Sequence, residues 1–235
     1  ATCGVAWVAY RRERGLVILA TVAVLLLLGQ AVLGGITVIN ELPGEIVATH
    51  FALGEALLGT LILVSVVAYR GPLGLSLGAR PEGRPDRFPY LILAAGVAMY
   101  GLLISGAYVT LSGATGACLD WPLCQGDAFP DHRLQAIHMG HRLAAGIIGI
   151  FVMYAVHLGI RQKHRLPFIR FWSMAVAVLF ITQVIMGAVT VWLKFPVEFR
   201  ALHQGLATAV WGSMVALVAL SFTLRRLPGM EQPRA

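Results

Sequence analysis

Histidines recur at the same place in two similar segments of the chain. His203 lies seven residues after Pro196, and His50 lies seven residues after Pro43. Each proline opens a Pro-x-Glu pattern, which favours the first turn of a helix because proline fits there and an acid meets the positive end of the helix dipole. At about 1.5 Å per residue, each imidazole would lie roughly 10 Å inside its helix. Ionisable groups inside apolar helices are costly, so these histidines are candidates for a functional site.

A second pair, His138 and His141, enters another apolar stretch from the same side and reaches a similar depth. Two imidazoles at matched depth on helices of one bundle suit bis-histidine ligation of a haem. We predict that His203 shares an iron with one of this pair. His141 is favoured because it lies deeper and precedes Arg142, a cation that could pair with a haem propionate; His138 would then line the haem edge or donate a hydrogen bond. A packing role is the alternative for any single histidine.

Six apolar stretches must position these side chains. The chain of 235 residues is 58% hydrophobic and 12% charged, whereas soluble domains average about 25% charged residues. Crossing a bilayer takes roughly 20 apolar residues. We therefore predict an all-α integral membrane protein with six transmembrane helices, at 15–38, 46–69, 89–112, 135–160, 168–193 and 201–224.

The net charge of +7 follows from topology and implies no nucleic-acid partner, because Lys and Arg cluster in alternate connections. By the positive-inside rule these connections are cytoplasmic. We expect a plasma membrane of bacterial type, both termini in the cytoplasm and the histidine sites toward the outer face. The basic clusters are Arg11, Arg12 and Arg14; Arg70, Arg80, Arg84 and Arg87; Arg161, Lys163, Arg165 and Arg170; and Arg225, Arg226 and Arg234.

The cysteines Cys118 and Cys124 flank a short loop on the predicted outer, oxidising side, where a small disulfide can form. We expect a structural staple over the histidine site; a redox-active dithiol is the alternative. Glu55 lies inside an apolar stretch and could be a neutral, hydrogen-bonded carboxyl facing the bundle interior.

The chain contains an internal repeat. A shift of 153 residues aligns 29–59 with 182–212 without a gap, with 11 identities in 31 positions. Both copies run in the same direction across the membrane, which indicates a parallel repeat about an axis along the membrane normal. At this offset residues 1–10 fall on the end of the fourth stretch. We therefore expect an intact protein of eight helices in two four-helix units, and we expect this chain to lack the first one to two of those helices. The identities include Gln30/Gln183, Gly34/Gly187, Glu45/Glu198 and His50/His203.

Three features together resemble haem A synthase: the loop Cys118-Leu-Asp-Trp-Pro-Leu-Cys124, the pair His141-Arg142, and the repeated Gly-x-x-Thr-Val…Pro-x-Glu…His segments. The resemblance covers essentially the whole chain. It implies two pseudo-repeated four-helix bundles, with haem b held between His141 and His203 and with His50 on the side that receives the substrate, haem O.

The implied reaction oxidises the C8 methyl of haem O to a formyl group, which gives haem A for terminal oxidases. Electrons would pass through haem b, from a donor such as a quinol, and haem O synthase could deliver the substrate. The implied organisation is a remnant of the substrate-side bundle at 1–70, a cytoplasmic linker at 71–88, the haem b bundle at 89–226 and a cytoplasmic tail at 227–235.

The sequence departs from the family pattern in one respect: of the substrate-side histidine pair, only His50 is present. We therefore expect the chain to hold haem b, with the catalytic bundle completed by the intact protein or by a second copy in a homo-oligomer. The alternatives are a non-enzymatic b-type cytochrome, a thiol oxidoreductase that uses Cys118 and Cys124, and a transporter, which the lack of broken helices disfavours.

Overall fold

The computed structural model describes residues 2–40, 44–70, 87–161 and 167–223. These ranges form seven helices, of which α2 to α7 are long and apolar enough to cross a membrane. The predicted all-α membrane fold is thereby confirmed. Pro43, most of the predicted linker and the predicted tail lie outside the described residues. The helices are α1 (Thr2–Ala9), α2 (Arg14–Ile39), α3 (Gly44–Arg70), α4 (Phe88–Leu111), α5 (Arg133–Arg161), α6 (Pro167–Trp192) and α7 (Val197–Thr223).

The helices form because backbone polar groups can be satisfied within a helix even where no water is present. Proline is placed where it costs nothing: Pro89 lies in the first turn of α4, where the N–H that it lacks would have no partner. Threonine hydroxyls inside the helices bond back to the preceding turn, as Thr37 does to the Leu33 carbonyl and Thr190 to the Met186 carbonyl, each at 2.7 Å.

The repeat predicted from the sequence is present in the helices. All four bounds of α2 and α3 coincide with those of α6 and α7 after a shift of 153 residues. The two helix pairs are therefore equivalent units, and α2 packs on α3 as α6 packs on α7.

Helices α4 to α7 form a four-helix ring. Each packs on its two neighbours in the order α4, α5, α6, α7 and back to α4. Helices α5 and α7 lie diagonally opposite each other, and the backbones of their described residues are not in contact. The half of the ring far from residues 112–132 is tightly filled by apolar side chains, among which Ile92, Val152 and Met214 have no measurable exposure.

The other half of the ring, here called the disulfide end because it carries the 112–132 loop, is more open. In α7 no residue before Val210 is buried, and in α3 no residue before Glu55 is buried. Because protein interiors are normally close-packed, this change along the same helices marks the disulfide end as the place where a ligand could fit.

The two repeat units meet at the contact between α3 and α7. The Thr208 hydroxyl donates a hydrogen bond to the Glu55 carboxyl, and these two residues occupy equivalent repeat positions. Equivalent residues that touch one another must lie near the pseudo-two-fold axis, so the axis passes between α3 and α7. Close approach there depends on Gly59, because a Cβ at that position would lie 3.2 Å from the Trp211 ring.

Candidate functional site

His141 lies in the first part of α5 and is held against α4. Its Nδ1 is 2.7 Å from the Ser105 hydroxyl, which itself donates to the Leu102 carbonyl at 2.6 Å. A Cβ on Gly106 would lie 3.1 Å from the Cε1 atom of the imidazole, so the ring fits only because position 106 carries no side chain.

His203 is placed on α7 in the same way. A Cβ on Gly187 of α6 would lie 3.1 Å from its Cε1 atom. Its Nε2 is 3.3 Å from the Gln183 side-chain amide nitrogen, and its Nδ1 is buried with no hydrogen-bond partner among the described residues. Unpartnered buried polar atoms are uncommon in folded proteins, and His203 shares this feature with His138 and His50, whose Nδ1 atoms are also unpartnered among the described residues.

The imidazoles of His141 and His203 belong to the same four-helix ring. Their helices are diagonal to each other, yet the two side chains lie close enough to interact electrostatically. Each imidazole packs over a glycine of a neighbouring helix, Gly106 of α4 for His141 and Gly187 of α6 for His203. The structure therefore brings together the two residues that the sequence favoured as ligands.

His138 lies one turn before His141 and has different neighbours. Its Nε2 is 3.4 Å from the Arg142 guanidinium, and its ring lies 6.0 Å from that of Phe195. His138 thus lies near the site, and its Nδ1 is buried with no hydrogen-bond partner among the described residues. The preference for His141 over His138 stays a prediction.

Arg142 anchors the loop between α4 and α5. Besides a propionate, which was the predicted partner, a guanidinium can bind carbonyl oxygens with its several fixed N–H donors. In the structure its donors lie 2.6 to 3.3 Å from the backbone carbonyls of Cys118, Asp120, Pro122 and Leu123. Pairing with a propionate stays a prediction.

Cys118 and Cys124 are joined by a disulfide, with their Cα atoms 4.8 Å apart. Both are essentially fully buried, at 0% and 1% exposure, and they pack with Met139 of α5. The Lys194 ammonium, from the turn between α6 and α7, donates to the Leu119 carbonyl at 3.0 Å. The loop is therefore fastened to both sides of the ring, as expected of a structural staple.

His50 lies apart from this group, on the α2–α3 pair. A Cβ on Gly34 would lie 3.4 Å from its Cε1 atom, and its Nδ1 is likewise buried and unpartnered among the described residues. Gln30 donates to the His50 carbonyl at 2.9 Å. The α2–α3 pair thus repeats the placement of a histidine over a glycine that α6 and α7 show.

These features fit an iron porphyrin. Within the described ranges no group of three or more His, Cys, Asp or Glu side chains could hold a metal ion. A pair of imidazoles suits a metal whose equatorial ligands come from a porphyrin. The apolar, incompletely filled disulfide end would surround the rest of such a group.

Several contributors to the site could not be found from the sequence. Ser105 belongs to no motif, and its contact with His141 exists only because α4 and α5 pack together. Gly34, Gly106 and Gly187 each contact an imidazole in the structure, whereas a Cβ at Gly101 or Gly146 would meet nothing within 4 Å. Gln183 was visible only as an identity in the repeat.

The fold and the site together define a polytopic helical membrane protein with paired histidines in a repeated bundle. The family model described as COX15-CtaA, cytochrome oxidase assembly protein, matches residues 1–215. The chain belongs to this family.

Curated relatives agree with that assignment. A heme A synthase of Bacillus cereus (strain 03BB102) is 26% identical over 220 residues, which cover 93% of this chain and 70% of the relative. A heme A synthase of Bacillus anthracis (strain CDC 684 / NRRL 3495) matches equally well. Another from Bacillus cereus (strain G9842) is 24% identical over 225 residues, with 95% and 71% coverage.

Proposed function

We propose that this protein is a haem A synthase that oxidises the C8 methyl of haem O to a formyl group. The observation that carries the proposal is the pair His141 and His203, which lie on diagonal helices, pack over glycines and are close enough to interact electrostatically. Membership of a family whose curated relatives are heme A synthases supports the same reaction.

His141 and His203 would hold a haem b. A haem b in this place would supply one-electron transfer between an external donor, such as a quinol, and the substrate side. The chain's own contribution is to fix both imidazoles: Ser105 and Gly106 hold the first, and Gly187 holds the second. The loop 118–124, anchored by its buried disulfide, would cover the disulfide end.

His50 would face the substrate, haem O. Support for this role comes from its equivalence to His203 in the repeat and from its unpartnered Nδ1. The α3–α7 contact lies directly between the two histidine-bearing units, so both haem sites would belong to one rigid framework. A second copy of the chain in a homo-oligomer could supply the further helices that complete the substrate-side bundle.

The proposed orientation places the disulfide end toward the outer face of a bacterial-type plasma membrane. The disulfide supports it, since such bonds persist in oxidising compartments. Arginines at the opposite helix ends support it too, because cytoplasmic ends carry an excess of Lys and Arg; within the described residues these are Arg14, Arg70, Arg87, Arg161 and Arg170.

The reaction is tested by incubating the purified full chain with haem O, an electron donor and air, and then separating the haems by chromatography with mass detection. We expect formylated haem to accumulate, and to be lost in His50→Ala while the b-type spectrum is retained. A normal b-type spectrum with no formylated product from the unaltered protein would instead favour an electron carrier without synthase activity.

A further inference from the structure

Ser105 carries a polar contact that neither the sequence motifs nor the family assignment accounts for. It lies in α4, one residue before the glycine over which the His141 ring packs, and it is partly buried. Its oxygen has two neighbours at short distance: the Leu102 carbonyl at 2.6 Å and Nδ1 of His141 at 2.7 Å.

The direction of these two hydrogen bonds follows from counting protons. A serine hydroxyl has one hydrogen to donate, and a backbone carbonyl can only accept. The hydrogen of Ser105 therefore goes to Leu102, and the serine oxygen must accept from His141. Nδ1 of His141 accordingly carries the imidazole proton, which leaves the lone pair on Nε2 free to bind a metal.

We propose that Ser105 is a positioning residue that sets the tautomer of His141 and makes its imidazole a stronger electron donor to iron. This inference rests on the proposed role of His141 as a haem b ligand. Outer hydrogen-bond partners of ligating histidines fix ring orientation and raise ligand basicity. A more basic ligand stabilises ferric over ferrous iron, so Ser105 lowers the reduction potential of the haem.

The arrangement is specific to one side of the site. His203 has no hydroxyl in the corresponding place; its neighbour is the Gln183 amide, at 3.3 Å from Nε2. In the repeat, Gln30 bonds the backbone of His50 rather than its ring. Of these three histidines, only His141 therefore has a short contact to a hydroxyl oxygen, and that hydroxyl itself donates a further hydrogen bond. Hydrogen bonds linked in this way strengthen one another.

The test compares Ser105→Thr with Ser105→Val in the full chain, by redox titration of the reduced-minus-oxidised haem spectrum. Thr and Val have nearly the same shape, so the pair isolates the hydroxyl from the added methyl group. Ser221→Ala is the matched control, because Ser221 makes the same bond to a carbonyl three residues earlier, at 2.8 Å, without a histidine contact.

We expect Ser105→Val to favour the reduced haem about tenfold more than Ser105→Thr does, which is about 59 mV for one electron. Ser221→Ala should leave the potential unchanged. Equal potentials in the Thr and Val variants, with haem bound in both, would overturn the inference and leave the proposed function standing. Absence of a b-type spectrum in the unaltered protein would instead overturn the proposed function.

Discussion

The substitution Gly187→Ala should damage the haem site, whereas the repeat-equivalent substitution Gly34→Ala should not. A Cβ at position 187 would lie 3.1 Å from Cε1 of His203, while at position 34 the distance to Cε1 of His50 would be 3.4 Å. Carbon atoms pack best at about 3.5 to 4.0 Å. The His203 ring must therefore move by about 0.4 Å, which approaches the roughly 0.5 Å within which a functional group must be held.

The fold itself should not suffer from either change, because alanine is favoured over glycine by up to about 1 kcal/mol inside a helix. For Gly187→Ala we expect a loss of haem affinity of about tenfold, the lower end of what disturbing the surroundings of a metal-bound histidine costs. The haem-to-protein ratio of purified protein measures this, and low-temperature electron paramagnetic resonance reports the altered ligand geometry.

Gly34→Ala and Gly101→Ala serve as controls, since a Cβ at position 101 meets nothing within 4 Å. Both should retain full haem b content. A normal haem ratio and resonance spectrum in Gly187→Ala would refute the idea that glycine makes room for the His203 imidazole.

Three further predictions concern the surroundings of the site. Glu55→Leu should lower the melting temperature, since the partly buried Thr208 hydroxyl loses its acceptor at a cost of about 1 kcal/mol. Glu55→Gln should stay near the original, and equal melting temperatures in the two variants would contradict this. Replacing Cys118 and Cys124 together by Ser should lower thermal stability by about 2 to 4 kcal/mol without abolishing haem O oxidation, and loss of activity with an intact haem spectrum would indicate redox-active thiols. Arg142→Lys should speed hydrogen exchange in residues 118–124, because one ammonium cannot replace a guanidinium bound to several carbonyls; unchanged exchange would exclude the anchoring role.

The membrane fold could be predicted from the sequence because the length and apolar content of each span can be read directly from the local composition. Span length, apolar content and the repeat offset predicted helices whose bounds the structure matches closely. The proximity of His141 and His203 could also be predicted from the sequence, since depth in a helix follows from spacing along the chain. The repeat strengthened this prediction because a histidine occurs at the same position in both copies, at His50 and at His203.

The contacts around those histidines were not accessible, because they depend on which helix faces which. Ser105 lies 36 residues from His141 along the chain, and nothing in the sequence indicates that their side chains meet. Arg142 was expected to meet a haem propionate, yet its observed partners are backbone carbonyls, which carry no sequence signature. Glu55 is buried, as its position inside an apolar stretch suggested. Its partner Thr208 could not be predicted, because their contact depends on the packing of α3 against α7.

We propose that the side chains of His141 and His203 together would hold one haem. This proposal is tested most directly by optical difference spectra of three purified alanine variants, each compared at equal protein concentration. We expect the bis-histidine b-type signal to vanish in His141→Ala and in His203→Ala and to persist in His138→Ala. An undiminished signal in His203→Ala, or its loss in His138→Ala with retention in His141→Ala, would contradict the claim.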